Sequence, residues 1–422
     1  MISHKFLKGA SWLVAVATMA SGTSLVGALD EPFQQLPLEL AAADFLPESV
    51  LSGEGYTVDE RVVNDGVQNT YTLKSDYGEL IVTGTGELLA RIQEVQATRA
   101  LEKLEGSDEF KEAAKGAVTG MVEGGKALWN EPVDTSKAAA RGVGRWLSNI
   151  GSSITSDDPH QDNAFETAVG YDVAKRGYAV AMGVDPYTDF EPFQERLGEV
   201  ASATAAGAMV TSMAIKVGTA GSIAGTVATV TRLASMQNLL KDNPPSTLTK
   251  LNRETLLAMG IVGYQADALL KNYNYTPAEM TMICEALKWM GDIEGREIFV
   301  AYATSAPDRE VAQFTQHYAE MLSDYITTVA SGDIVDVAGT AWLVSRSGSL
   351  VGAFPIDYLA WTKNVADSTG TASEQMVGLG AKRKELLLKG RVSPVAKAAL
   401  ESRGWEITEN VRLASAADST TL

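Results

Sequence analysis

Cysteine and histidine are what this chain has least of. Cys284 is the one cysteine in 422 residues, and histidine occurs three times, as His4, His160 and His317. One cysteine excludes an intrachain disulfide and any C-x-x-C redox or zinc motif. It lies in a helical pattern with Met280, Ile283, Leu287 and Met290, which reads as a buried core thiol and not an activated nucleophile. Neither H-E-x-x-H nor G-x-S-x-G occurs, so zincin and nucleophile-elbow chemistry are absent. A Ser-His-Asp hydrolase would have to use His160 or His317, and no nucleophile is marked near either. His160 sits among Asp157, Asp158 and Asp162 in what reads as a solvated acidic loop. His317 falls at the edge of an apolar helix face.

Positive charge is also scarce. Lys and Arg total 35 against 53 Asp and Glu, a net charge of −18. A chain this acidic has little attraction for nucleic acid or an anionic membrane surface. Long hydrophobic runs are confined to two places. The first opens the chain: Lys5 and Lys8, then an apolar stretch from Trp12 to Ala20, then Val26-Gly27-Ala28. The spacing matches a cleavable secretory signal over 1–28, with an apolar core too short to span a bilayer. Cleavage would remove two lysines and no acid, leaving a still more acidic chain in the periplasm or outside the cell. The second runs from Val200 to Thr231, where Lys216 is the only charge and small residues dominate. It reads as a small-residue helical hairpin packed in a protein core. Membrane insertion is the alternative, and a central Lys opposes it.

Between these, the expected fold is α+β and mainly helical. Residues 29–55 are aperiodic and read as a leader or linker. Residues 56–105 predict a small β-meander and a helix: Tyr56 to Val63 and Thr70 to Leu73 flank Asn64-Asp65-Gly66, a turn signal. Gly78 to Val82 adds a strand, and Leu88, Ile92, Val95, Leu101 and Leu104 share one helix face. Residues 106–160 form a Gly-rich helical linker, with Gly116, Gly120 and Gly124 at every fourth position. Residues 161–330 read as a helical domain in which Thr276-Pro277-Ala278-Glu279 is a capping box, and a helix near Pro307 buries Val311, Phe314, Tyr318, Met321, Leu322 and Tyr325. Residues 331–422 read as a small α/β domain able to fold alone. Its elements are a hairpin turning at Arg346-Ser347-Gly348, a polar helix, a strand at Leu386 to Leu388, a helix from Ser393-Pro394, and a strand at Trp405.

Three motifs fail on inspection. Gly120 to Lys126 matches half a P-loop, but Ala127 replaces the magnesium-binding hydroxyl. Gly84-Thr85-Gly86 opens a helix after a strand, yet Leu89 stands where a dinucleotide fingerprint needs its third glycine. Asp185-Pro186-Tyr187-Thr188-Asp189 alternates acids like a calcium loop but lacks the turn glycine; it reads as a turn, with Asp189 capping a helix near Pro192. The sequence therefore marks no catalytic, cofactor-binding or metal-binding residue.

The order of Gly183-Val184-Asp185-Pro186-Tyr187, Leu251-Asn252-Arg253, Asp357-Tyr358 with Trp361-Thr362, and Gly390-Arg391 with Ser393-Pro394 through Gly404-Trp405 resembles a family of uncharacterised secreted proteins of Gram-negative bacteria. That resemblance implies export and shared architecture, and no activity. The leading expectation is an exported, non-catalytic protein acting on a protein partner, without nucleic acid or small-molecule cofactor. A membrane-associating protein using 200–231, and a hydrolase centred on the C-terminal domain, are the alternatives.

Overall fold

A computed structural model describes residues 32–105, 163–205 and 236–411. The signal-like segment 1–28, the Gly-rich segment 106–160 with His160 and the P-loop-like run, and the hairpin beyond residue 205 lie outside these residues. The fold is α+β, as expected, with a β-meander near the N-terminus and a mixed sheet near the C-terminus.

The supposed leader is structured from residue 32 onward. Its elements are β1 (Leu38–Ala41), the one-turn α1 (Glu48–Leu51) and β2 (Ser52–Gly53). Each is too short to show a period, and β1 pairs with a strand more than twenty residues away, so the segment looks aperiodic. β3 (Tyr56–Val58), β4 (Arg61–Asn64), β5 (Asn69–Ser75) and β6 (Gly78–Thr83) complete an antiparallel sheet in the order β1-β4-β5-β3-β2, with β6 along the other side of β5. The run expected as one strand from Tyr56 to Val63 bends between β3 and β4, so that both halves lie on β5. The turn after β4 is built by its own side chains. Asn64 accepts from Gly66 N–H at 2.8 Å, and Asp65 accepts from Val67 and Gln68 N–H at 2.9 and 2.8 Å. Gly66 has φ 103°, where a Cβ would be strained. α2 (Thr85–Glu105) lays Leu88, Ile92, Val95 and Leu101, all fully buried, onto the first core.

α3 (Asn163–Ala181) and α4 (Glu191–Ala205) pack on that same core through Tyr178, Phe193 and Leu197. The loop 182–190 between them leads to the second core. That core holds α5 (Pro245–Ala258), α6 (Gly263–Leu270), α7 (Pro277–Trp289), α8 (Arg296–Thr304) and α9 (Arg309–Thr328). The capping box forms as expected: Thr276 accepts from Glu279 N–H at 3.1 Å and Glu279 accepts from Thr276 N–H at 2.8 Å. Cys284 is fully buried, and burial pushes its thiol pKa far up.

The C-terminal sheet runs β13-β11-β9-β8-β7. β7 (Gly332–Val337), β8 (Thr340–Ser345) and β9 (Ser349–Phe354) are antiparallel, while β9, β11 (Arg383–Leu388) and β13 (Trp405–Thr408) are parallel. Parallel neighbours need crossovers, supplied by α10 (Lys363–Gln375) and α11 (Pro394–Ser402). A two-stranded ribbon of β10 (Tyr358–Leu359) and β12 (Arg391–Val392) lies beside the sheet.

One hydrophobic cluster runs from Leu256 on α5 to Trp405 on β13. Tyr318 of α9 stacks 4.9 Å from Phe354 of β9 and donates to the Ala341 carbonyl. The cluster thus draws side chains from both sides of residue 330, and α9 covers a face of the C-terminal sheet.

Candidate functional site

A cleft of about 50 Å³ opens where three regions meet. The β4–β5 turn and the start of α2 supply Asp65, Gln68, Gly86 and Glu87; the first turns of α9 supply Asp308, Glu310, Gln313 and His317; Asp357 and Lys389 come from the C-terminal region. At about 10–15 Å³ per water site, it holds a few waters.

Asp357 lies at the back of the cleft, 7% exposed. Its Oδ2 accepts from Asn69 N–H at 3.0 Å, and Thr85 N–H reaches both oxygens, at 3.2 and 3.0 Å. The carboxyl thus sits at the N-terminus of α2, where unpaired N–H groups and the helix dipole favour an acceptor. Its pKa is raised because burial disfavours charge, against the opposing pull of those N–H donors and of Lys389. The backbone joins in: Asp357 and Tyr358 N–H donate to Val67 O at 3.1 and 3.2 Å, and Ala360 N–H to Gly66 O at 2.9 Å. The position where a dinucleotide phosphate would sit against Gly84-Thr85-Gly86 is filled by a side chain of the chain itself.

His317 is held between two acids, with Nε2 3.1 Å from Glu87 Oε1 and Nδ1 3.5 Å from Glu320 Oε2. Burial alone would lower its pKa, but the bonds to Glu320 and Glu87 outweigh that and raise it to about 9. The imidazole is therefore protonated at neutral pH and unsuited to act as a general base. Gly86 makes room for it, since a Cβ there would lie 2.9 Å from His317 Nε2. From the sequence His317 reads as a packed or surface histidine at the edge of an apolar face, and nothing there points to Glu87 or Asp357, whose partners lie more than two hundred residues away.

A second polar seam fixes the loop 182–190. Asp185 forms the expected turn, accepting from Tyr187 N–H at 2.8 Å, and also accepts from the Thr276 hydroxyl at 2.6 Å. Glu94 of α2 accepts from Thr188 and lies 2.9 Å from Arg91. Asp189, expected as a helix cap, pairs with Arg91 at 2.8 Å, and α4 begins at Glu191. Burial pushes Glu94 up to about 7 and Asp185 up to about 6.

The C-terminal sheet brings one serine to one lysine. Lys384 Nζ donates to Ser373 Oγ at 3.1 Å and to the Arg403 carbonyl, while Ser373 donates to the Thr369 carbonyl at 2.8 Å. The hydroxyl proton is committed to the helix and the amine is acting as a donor, so the pair is not poised as a nucleophile and base. Among the described residues, no group of three or more His, Cys, Asp or Glu side chains is placed to hold a metal ion, and no helix is long and apolar enough to cross a membrane. Comparison with family models, curated proteins and solved structures finds no match to this chain.

Proposed function

We propose that this chain is an exported protein, periplasmic or secreted, that has no catalytic chemistry of its own and acts through contacts with another protein. One observation carries the reading: the His317, Glu87, Asp357 and Thr85 side chains gathered in the cleft are engaged with one another, with neighbouring side chains and with backbone N–H groups. His317 is spent on Glu87 and Glu320, Asp357 on Asn69 and Thr85, and the Thr85 hydroxyl on Tyr71 at 2.7 Å. The cleft is thus a joint between the meander, α9 and the C-terminal sheet. A surface suited to contact is present elsewhere. Leu257, Val262 and Tyr264, at the α5–α6 corner, are 39%, 54% and 72% exposed. The signal-like N-terminus and the resemblance to secreted proteins support export.

The experiment is intact-mass analysis of the protein recovered from periplasm and medium. A chain beginning at Leu29 is expected. Full-length protein confined to the cytoplasm would overturn the proposal.

A further inference from the structure

We propose that the outer edge of β6, together with the acidic cleft it leads into, is the docking surface for an extended segment of the partner that carries a lysine or arginine. This rests on the reading of the chain as a protein that works through protein contacts.

The alternation of hydrogen bonds along the hairpin shows which way the β6 backbone faces. Gly84 N–H donates to Asn69 O at 2.7 Å, and the register pairs Tyr71 with Val82, Leu73 with Leu80 and Ser75 with Gly78. Those residues exchange bonds across the hairpin, so the alternate pairs do not. Thr72 confirms it from the other strand, since its carbonyl points away from β6 and accepts from Asp59 N–H at 2.9 Å. The N–H and C=O groups of Glu79, Ile81 and Thr83 therefore face outward, and none has a backbone partner among the described residues. Such an edge is a template for another strand. It is not blunted in the usual way: Ile81, 66% exposed, sits at its middle where a lysine or proline would discourage pairing.

The edge has a direction. Thr83, its last residue, lines the cleft and lies 3.4 Å from Glu310 through its hydroxyl. Glu310 and Asp308 are exposed at the cleft mouth. Five acids line the cleft against His317 and Lys389, so a strand added along β6 would deliver its next side chain into a net-negative opening. The carboxylates lining the opening suit an ammonium or guanidinium end. A second copy of this chain fits less well: pairing about Ile81 would set its Glu79 opposite Thr83, beside Glu310, and join two chains of net charge −18.

The test uses blocked, dye-labelled octapeptides of alternating Thr and Val, with Arg at one end or the other, titrated by fluorescence anisotropy against the exported form of the protein. At least one Arg peptide should bind saturably, about tenfold or more tighter than its Glu counterpart, with the advantage shrinking in salt. Glu310→Gln should reduce that ratio while leaving the residual binding. Ile81→Pro should abolish binding yet keep the hairpin, because the N–H it removes points outward; melting curves check this. Methylating the peptide's own alternate amides, which leaves the protein untouched, should also abolish binding. Absence of binding by every peptide, equal binding of Arg and Glu peptides, or indifference to amide methylation would overturn the proposal. So would a concentration-dependent dimer of the unmodified protein that Ile81→Pro dissociates, which would assign the edge to a second copy. None of these results bears on export or on the engagement of the cleft's groups, so failure here is distinguishable from failure of the functional reading.

Discussion

Asp357→Ala should lower the stability of the protein by about 2–6 kcal/mol, because the N–H groups of Asn69 and Thr85 would lose their acceptor at about 1–3 kcal/mol each. The loss should exceed that of a surface substitution because the carboxyl ties the C-terminal region to both β5 and the start of α2. Val67 and Gly66 accept backbone bonds from the same segment, so a loosened Asp357 weakens the contact between the meander and the C-terminal sheet. Asp357→Asn should cost less, since one oxygen still accepts. Urea denaturation of the two variants checks the order. A loss below about 1 kcal/mol for the alanine variant would mean that water replaces the carboxyl and that the joint is not a fastening.

The second large effect is a fall in stability as pH rises from about 5 to about 9. Glu94 has its pKa raised from 4.5 to about 7, with burial as the main cause and Arg91 and Thr188 opposing it. A group with a raised folded pKa binds its proton better in the folded state. Its contribution is fully present below pH 4.5 and is lost as pH rises through 7. The shift corresponds to roughly 3 kcal/mol as an upper figure. Asp185, raised from 3.8 to about 6, acts in the same direction. His317 follows at higher pH: its stabilisation is complete below 6.5 and is lost as pH rises through 9. A quarter of its side chain faces solvent, so its share is smaller, about 1–2 kcal/mol. Glu94→Gln should therefore melt higher than the unmodified protein at pH 8 and no higher at pH 4.5. Melting curves at fixed ionic strength would read this directly, and a stability that rises between pH 5 and 8 would contradict it.

What the sequence made legible was local. The Asn64-Asp65-Gly66 turn, the Thr276–Glu279 capping box, the apolar face of α9 and the C-terminal order of hairpin, helix, strand, helix and strand each depend on residues a few positions apart. All of them stand in the structure. β1 was hidden because four residues carry too weak a period, and β7 because Val335 interrupts its apolar–polar alternation. β7 also turns into β8 through Ala338 and Gly339, at φ 52° and 80°, a pair that no Asn-Gly signal announced. The cleft was less legible still. Glu87 and Glu94 read as ordinary charges between the apolar positions of a helix. Only the folded chain brings His317 to the one and Thr188 to the other. Asp357 entered as part of a motif order, with no chemistry attached, because both of its backbone donors lie more than 270 residues before it.

The central claim is that the cleft fastens the fold and performs no reaction. The measurement is complementation of a strain lacking the gene by a triple variant, Glu87→Gln, His317→Gln and Glu320→Gln. Glutamines keep hydrogen-bonding groups at these positions and remove every titratable group that contacts the imidazole, along with the imidazole itself. The variant should be exported, melt several degrees lower at pH 7, and restore whatever phenotype the deletion causes. Loss of that phenotype in a variant that is folded, exported at normal levels and still binds the Arg peptide would contradict the account and return the cleft to the list of active sites.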